Sequence, residues 1–520
     1  MSSSKKSILR STSGMAAATL FSRVLGFLRE ILEASVLGGG AVASSWFLAF
    51  MTPNLFRRIL GEGALGTALV PTISHIIELR GKEDAKRQLA AIFAWLGLVL
   101  ALICILVSVI AMTLKLWVKD PSGVMALNLI PLLMPYSFFI CLIGITGSIL
   151  NTLRVFFLPA LGSLLLNILL IICLLFVCPG MTDTVKMLNF LAYAVLLSGA
   201  IQLVLLLGLM SYYDIFPSFS LANLKNLEIL SELWKLTLPG LIGASVVQIS
   251  FFIDRMMAYS IGPQAVPALN YSDRIVYLPI GVFAIAFGSV LLANMSKSAA
   301  KGDTAELVAS LNLGLRHVLF ICVPIAAFTV LFRLPIVRCC FLRGKFTESD
   351  AIETAWAMLF FGLGIPAFCA IKITLAAFYS RKDMKTPVKI SFLCIFLNLI
   401  LNVVLMFPMQ QGGLALATVI SSILNNCLLL YFLKKAIRHD LGLDQVGYSL
   451  LRSSAASIIP AVTLFYFYKN MGTIYASKYL PADAAPLVIC GVAFCVSYAL
   501  ISWLCRSREL PELISMFKRG

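Results

Sequence analysis

Five arginines stand where a bilayer penalises them. Arg23 and Arg29 lie in "FSRVLGFLRE" (residues 21–30), Arg57 and Arg58 in "PNLFRRILGEG", and Arg274 in "NYSDRIVYLP", each inside a stretch otherwise built like a membrane span. One charged residue at the centre of a spanning helix costs roughly 2.5–3.5 kcal/mol even on the lenient insertion scale. A guanidinium is planar and permanently charged, and its fork of N–H donors matches phosphate oxygens two at a time. At about 100° per residue, Ser22, Arg23, Gly26, Arg29, Glu30 and Glu33 gather within an arc of about 120°. Asn54, Arg57, Arg58, Gly61 and Glu62 fit one of about 140°. Asn270, Asp273, Arg274 and Tyr277 follow i, i+3, i+4, i+7 spacing along a third face. A bland reading makes Arg29–Glu33 and Arg58–Glu62 mere i,i+4 pins of the bundle and lets Arg57 and Arg58 snorkel. It does not account for all five arginines together. Their convergence on a hydrated cavity suits a pyrophosphate.

Other polar residues in the spans carry weaker signals. Lys372 reads equally as a further cavity cation or as a snorkelling side chain. Asp254 has Arg255 beside it as a neutralising neighbour. Asn398 and Asn402 share a face at i,i+4, with Thr418 in the following span. Such asparagines usually just hydrogen-bond neighbouring helices, for roughly 0.6 kcal/mol. Together with Asp254, these three also offer hard oxygens to a small cation. The thirteen cysteines include no CxxC pair and read as small apolar packing residues. His75, His317 and His439 are read as lying near loop ends, too dispersed for a metal or catalytic cluster. There is no GxxxxGK[ST] loop, GxSxG elbow or HExxH helix, so direct use of ATP and the commoner hydrolytic chemistries have no visible machinery.

The elements that hold these residues are helices in a membrane. Of 520 residues, 60% are hydrophobic and 12% charged, and the mean hydropathy is +0.96. A soluble chain of that size needs far more charge, and the lack of strand alternation excludes a barrel. Fourteen spans are expected near 13–38, 42–77, 88–117, 124–153, 157–178, 186–212, 229–260, 265–297, 304–334, 347–380, 383–408, 411–438, 449–470 and 483–506. The basic, then apolar N-terminus reads as a retained first helix, because no clear cleavage site follows it. The +17 net charge sits mainly in alternate short loops. This positive-inside bias places both termini in the cytoplasm and argues against nucleic acid as a partner.

A polar linker at 213–228 separates an N-terminal lobe (1–212, spans one to six) from a C-terminal lobe (229–438, spans seven to twelve). Residues 439–520 supply the last two helices. A faint repeat supports the division: "GTALVPTIS" at Gly66–Ser74 answers "GSVLLANMS" at Gly288–Ser296, an offset of 288−66=222. The polar loops from Arg80 and Lys301 follow with an offset of 301−80=221. Two parallel repeats around a cavity are a recurrent transporter plan.

With these residues assembled, the chain resembles the MurJ/MviN family of lipid II flippases, within the multidrug, oligosaccharidyl-lipid and polysaccharide exporters. "FSRVLGFLRE", "PNLFRRILGEGALGTALVP", "YSDRIVYLPIGVFAIAFGSVLL", "FYSRKDMKTPVK" and "GLALAT" carry the match. The resemblance implies an all-α membrane protein of fourteen helices, with two six-helix lobes around a central cavity. It further implies that the last two helices form a groove for the lipid tail. Its implied cargo is undecaprenyl-pyrophosphate bearing the peptidoglycan disaccharide-pentapeptide, moved to the outer leaflet of the bacterial cytoplasmic membrane. Ser22, Arg23, Arg29, Arg57 and Arg274 match positions the family needs. Arg29, Arg57 and Arg274 look like its pyrophosphate triad, with Asn54, Arg58, Glu62, Asp273 and Lys372 as further candidates around the substrate. Asp254, Asn398, Asn402 and Thr418 line up with a sodium site, although Asn402 stands where an aspartate is usual. "VASSWFLAF" likewise lacks the acidic residue that relatives carry at about Ser44. No other cofactor is expected, and the chain is expected to act as a monomer among membrane lipids, in association with cell-wall synthesis proteins. A drug/cation antiporter or polysaccharide-lipid exporter of the same superfamily is an alternative. A membrane glycosyltransferase is a more distant one and would need an essential carboxylate.

Overall fold

The computed structural model describes residues 21–61, 64–153, 155, 157–220, 228–471 and 484–519, and among them every regular element is a helix. Backbone contacts divide the chain into two compact units, residues 1–255 and 256–520.

The first unit begins with α1 (21–37) and α2 (Ala41–Phe56), which runs into a π-turn at Arg57–Gly61. Next come α3 (Ala64–Leu114), α4 (Pro121–Thr152), α5 (Phe157–Ile172, followed by a second π-turn at Cys173–Val177), α6 (Thr184–Tyr212) and α7 (Glu228–Ile261), whose end passes into the second unit. Asp120 caps α4 by accepting from the Gly123 amide, and Asp183 caps α6 by accepting from Val185 and Lys186. Both are aspartates closing the open donors of a helix start. Helix α4 is the hub, packing against α2, α3 and α6.

The second unit contains α8 (Ala265–Pro279, followed by a π-turn at Ile280–Ala284), α9 (Ile285–Lys301), α10 (Thr304–Leu331), α11 (Arg333–Phe341) and α12 (Glu348–Ser380). It continues through α13 (Lys385–Met409), α14 (Gln411–Ile437), α15 (Leu443–Met471), α16 (Ala484–Leu504) and α17 (Glu509–Arg519). Here α12 is the hub, touching α8, α9, α10, α11 and α14. The most apolar windows of α10 and α12 are 67% and 61% buried within the protein, against 22% for α13, α14 and α16, which therefore present most of their surface outward.

Nine helices among the described residues are long and apolar enough to cross a membrane. One stretch, Leu69–Leu114, has 46 residues. At 1.5 Å per residue it is about twice the thickness of the hydrocarbon core. Gly81 breaks it with φ 84° and ψ 176°, a conformation open to glycine but strained for other residues. The expected spans at 42–77 and 88–117 are thus joined by a bend, and the first is itself interrupted by the turn at 57–61.

The sequence repeat has a backbone counterpart. Two of the three π-turns among the described residues begin at Arg57 and Ile280, an offset of 280−57=223. Gly81 and Gly302 both adopt positive φ, an offset of 302−81=221. The hub helices start at Pro121 and Glu348, an offset of 348−121=227. These features recur near the offset of the sequence repeat, whereas the π-turn at Cys173–Val177 has no counterpart in the helix Lys385–Met409.

Candidate functional site

In the first unit the arginine stripe of α1 is anchored rather than loose. Arg29 is 8% exposed, and Glu30 and Glu33 are 4% and 2% exposed. Its guanidinium pairs with Glu30 at 3.4 Å and with Glu33 at 3.4 Å. It also donates to Oδ1 of Asn167 on α5 at 3.1 Å. The Asn167 amide in turn donates to the Ser22 carbonyl at 3.3 Å, bracing the start of the described part of α1. The i,i+4 pair expected between Arg29 and Glu33 is therefore formed, and Glu30 joins it. Ser22 and Arg23 are half-buried on the same helix.

The second cluster sits on the π-turn after α2. Asn54 donates to the Phe50 carbonyl at 2.8 Å, and Arg57 Nε donates to Asn54 Oδ1 at 3.1 Å. Arg57 is half-buried and Arg58 exposed. Arg58 donates to Gln248 Oε1 on α7 at 3.2 Å and lies 5.7 Å from the centre of the Phe251 ring. Arg255, only 3% exposed, stacks on the same ring at 4.6 Å, a cation–π arrangement that holds two like charges on an aromatic face.

A π-turn adds one residue to the turn and leaves a carbonyl misaligned, which is why such turns need help. Here the Cys141 thiol of α4 approaches the Phe56 carbonyl at 3.6 Å. Gly144 allows the close approach, because a Cβ there would lie 2.4 Å from the Gly61 carbonyl oxygen. Glu62 lies outside the described residues.

In the second unit α8 carries Asp273, which is 9% exposed, beside the exposed Arg274. The Asn270 amide donates to the Val266 carbonyl at 2.9 Å, and Tyr277 stacks on Phe368 of α12 at 6.1 Å. Lys372, also on α12, is exposed. The turn at Ile280–Ala284 begins directly after Pro279, so the proline marks the break on this helix.

Three of the residues aligned with a sodium site are hydrogen-bonded in series. Asn402 is fully buried and donates to Asn398 Oδ1 at 3.2 Å. Asn398 donates to Thr418 Oγ1 at 3.5 Å, and Thr418 to the Leu414 carbonyl at 3.0 Å. Two of the three side-chain oxygens accept hydrogen bonds from neighbours. Asp254, half-buried, belongs to the first unit. Among the described residues no group of three His, Cys, Asp or Glu is placed to hold a metal. Asn402, Asn398 and Thr418 thus form a neutral hydrogen-bonded chain.

Asn167 and Gln248 carry no weight in the sequence, because one amide in an apolar run has no spacing partner. Arg255 is noticed there only as a neighbour of Asp254. The expected placement of His317 does not hold. The residue lies within α10, fully buried, not near a loop end.

Comparison with known proteins gives these clusters a context. The family model for "Lipid II flippase MurJ" matches residues 33–482. A "Probable lipid II flippase MurJ" of Rhizobium tropici is 33% identical over 420 residues, covering 78% of this chain and 77% of the relative. The "Lipid II flippase MurJ" of Burkholderia cenocepacia is 31% identical over 426 residues, covering 80% and 82%. A solved structure of "Lipid II flippase MurJ, inward closed conformation" superposes with a TM-score of 0.76 at 22% identity, covering 94% of this chain and 98% of that one. An inward-facing multidrug resistance MATE transporter superposes at 0.65 with 17% identity, covering 80% and 94%. The fold is thus shared with drug exporters, whereas the family match is to one kind of carrier. This chain is a multi-pass bacterial inner-membrane protein and belongs to the lipid II flippase MurJ family.

Proposed function

We propose that this protein carries lipid II, the undecaprenyl-pyrophosphate-linked peptidoglycan precursor, from the inner to the outer leaflet by alternating access. Membership of the MurJ family, with arginines on α1, on the turn after α2 and on α8, is the observation that carries the reading. Arg23, Arg57, Arg58 and Arg274 are the guanidiniums assigned to the pyrophosphate, with Asn54 orienting Arg57. Arg29 already meets two carboxylates and Asn167. Its part is to set the charge and geometry of the α1 stripe, with any contact to the cargo made in exchange for one of those partners. Glu62, Asp273 and Lys372 are assigned to the surroundings of the headgroup.

The physical sequence is simple. Cationic side chains repel one another until the pyrophosphate neutralises them, and neutralisation permits the six-span lobes, 1–212 and 229–438, to close on one side and open on the other. The prenyl tail stays in lipid along the helices of 439–520. Both termini face the cytoplasm, where the Lys/Arg-rich loops belong. The protein is a carrier that leaves its cargo covalently unchanged and works as a monomer. Membrane potential acting on the empty cationic carrier resets it.

Complementation tests this in a strain depleted of its own flippase, with lipid II exposure at the outer leaflet read directly. The wild-type chain restores growth and exposure, and Arg57→Ala and Arg274→Ala, expressed to equal levels, restore neither. Restoration by both alanine variants contradicts the assignment. Failure of the wild-type chain contradicts the cargo.

A further inference from the structure

We propose that α17 is a charge-locked clasp: its Glu509 and Glu512 embrace the buried Arg316 of α10 and thereby fix the terminal pair α15–α16 to the second unit. Helices α16 and α17 lie beyond the stretch matched by the family model, which ends at residue 482. Arg316, in the middle of a membrane-spanning helix, is 8% exposed. Glu509 lies 3.3 Å from its Nε, and Glu512 accepts from its Nη2 at 2.9 Å. His317, the next residue of α10, is fully buried, with Nδ1 2.8 Å from the Leu313 carbonyl and Nε2 3.3 Å from Glu512. The histidine that matched no catalytic or metal pattern is thus part of this joint.

The carboxylates are themselves held in place. Ser507 donates to Glu509 at 2.7 Å. Burial pushes the Glu509 carboxyl up, but hydrogen bonds from Ser507 and its own backbone amide, together with the charge of Arg316, outweigh this and hold it below the usual glutamate range. The stabilisation from Glu509 is therefore complete above that range and is lost only as the pH falls through the depressed value.

Apolar packing completes the joint. Leu510 and Leu513 of α17 pack with Phe320, Ala456, Tyr498 and Ile501, and the Tyr498 hydroxyl donates to the Phe320 carbonyl at 2.7 Å. The other ends of α10, α15 and α16 meet separately through Phe332, Tyr468 and Cys490. With the clasp closed, α15 and α16 are tied to α10 at both ends, so the pair moves with that helix instead of swinging on one hinge.

Removing the partners of a buried charge destabilises far more than replacing the whole cluster by apolar or neutral groups. Hydrogen exchange on the full chain in lipid nanodiscs uses that asymmetry. In Glu509→Gln/Glu512→Gln, amides 513–518, which are bonded within α17, exchange at least threefold faster than in wild type. Adding Arg316→Met to that double variant slows them again. Acceleration below threefold, or a triple variant no slower than the double, overturns the clasp. If the double variant does not fold, recovery of folded protein in the triple supports the lock, and no recovery overturns it.

Discussion

At the scale of single residues, the membrane-embedded charges fall into two kinds. Arg29, Glu30 and Glu33 satisfy one another deep in the first unit, whereas Arg58 and Arg274 are exposed and Arg23 and Arg57 half-buried. The 3.6-residue spacing made the stripes legible in the sequence, and the same spacing gave the Arg29–Glu33 pair. It could not reveal Asn167, which lies 138 residues from Arg29 and belongs to its site only through folding. Asn167→Ala leaves a buried guanidinium short of an acceptor, a loss of roughly 1–3 kcal/mol. Transport per folded molecule falls, and Asn167→Gln restores less than half of it, because the longer amide misses Ser22 and Arg29. Wild-type transport in the alanine variant, measured at matched expression, contradicts this role. Outside the spans, Lys86 pairs with Asp214 at 2.5 Å and tethers the segment after α6 to the bend of α3. The hydrogen bond from Lys86 and its charge hold the Asp214 carboxyl below the usual aspartate range. A carboxyl so depressed contributes fully above an ordinary value of about 3.9 and less as the pH falls through its lowered one. Protease cutting within 213–220 is therefore unchanged between pH 8 and pH 5 and rises in Asp214→Asn at either pH. Equal cutting of variant and wild type rules the tether out.

Helices bring a different kind of information. Hydropathy locates spans well because it sums over many residues, but it is blind to a one-residue insertion in the backbone. The π-turn at Arg57–Gly61 was therefore invisible in the spacing, although Pro53 lies four residues before it and Pro279 directly before the turn at Ile280. The turn re-aims Arg57 and Arg58 relative to a regular continuation of α2. It depends on Gly144, where a Cβ would lie 2.4 Å from one carbonyl oxygen and 2.9 Å from its carbon. Since those atoms are backbone, Gly144→Ala must push the turn or α4 aside, at about 1–3 kcal/mol. Transport drops at least tenfold while Gly208→Ala, whose Cβ meets nothing within 4 Å, is silent; equal activity of the two variants contradicts a positioning role for the turn. On α13, Asn402→Asp places a carboxylate in what is now a neutral chain. Thermal stability of that variant becomes dependent on sodium, whereas the wild type responds to sodium and potassium alike. A wild-type preference for sodium contradicts the neutral-chain reading.

For the whole molecule, some backbone features recur near the offset of the sequence repeat. Offsets of 223 residues between π-turns and 221 between positive-φ glycines repeat those read from two short motifs. The sequence showed the offset through one helical motif and the polar loops that hold Gly81 and Gly302, but not through the π-turns. The clasp had no such signature: Arg316 and Glu512 are 196 residues apart, and each reads alone as an ordinary charge. Cargo is likewise not written in the fold, since a drug exporter superposes on the same helices. It rests on the family match and on arginine chemistry. Lipid II binding to the purified chain in nanodiscs tests that chemistry most directly, with the corresponding monophosphate lipid as comparison. The wild type prefers the pyrophosphate, and Arg57→Ala/Arg274→Ala weakens lipid II at least tenfold, about 1.4 kcal/mol, while erasing the preference. Unchanged affinity and an intact preference in that double variant would contradict the assignment of these arginines to the pyrophosphate.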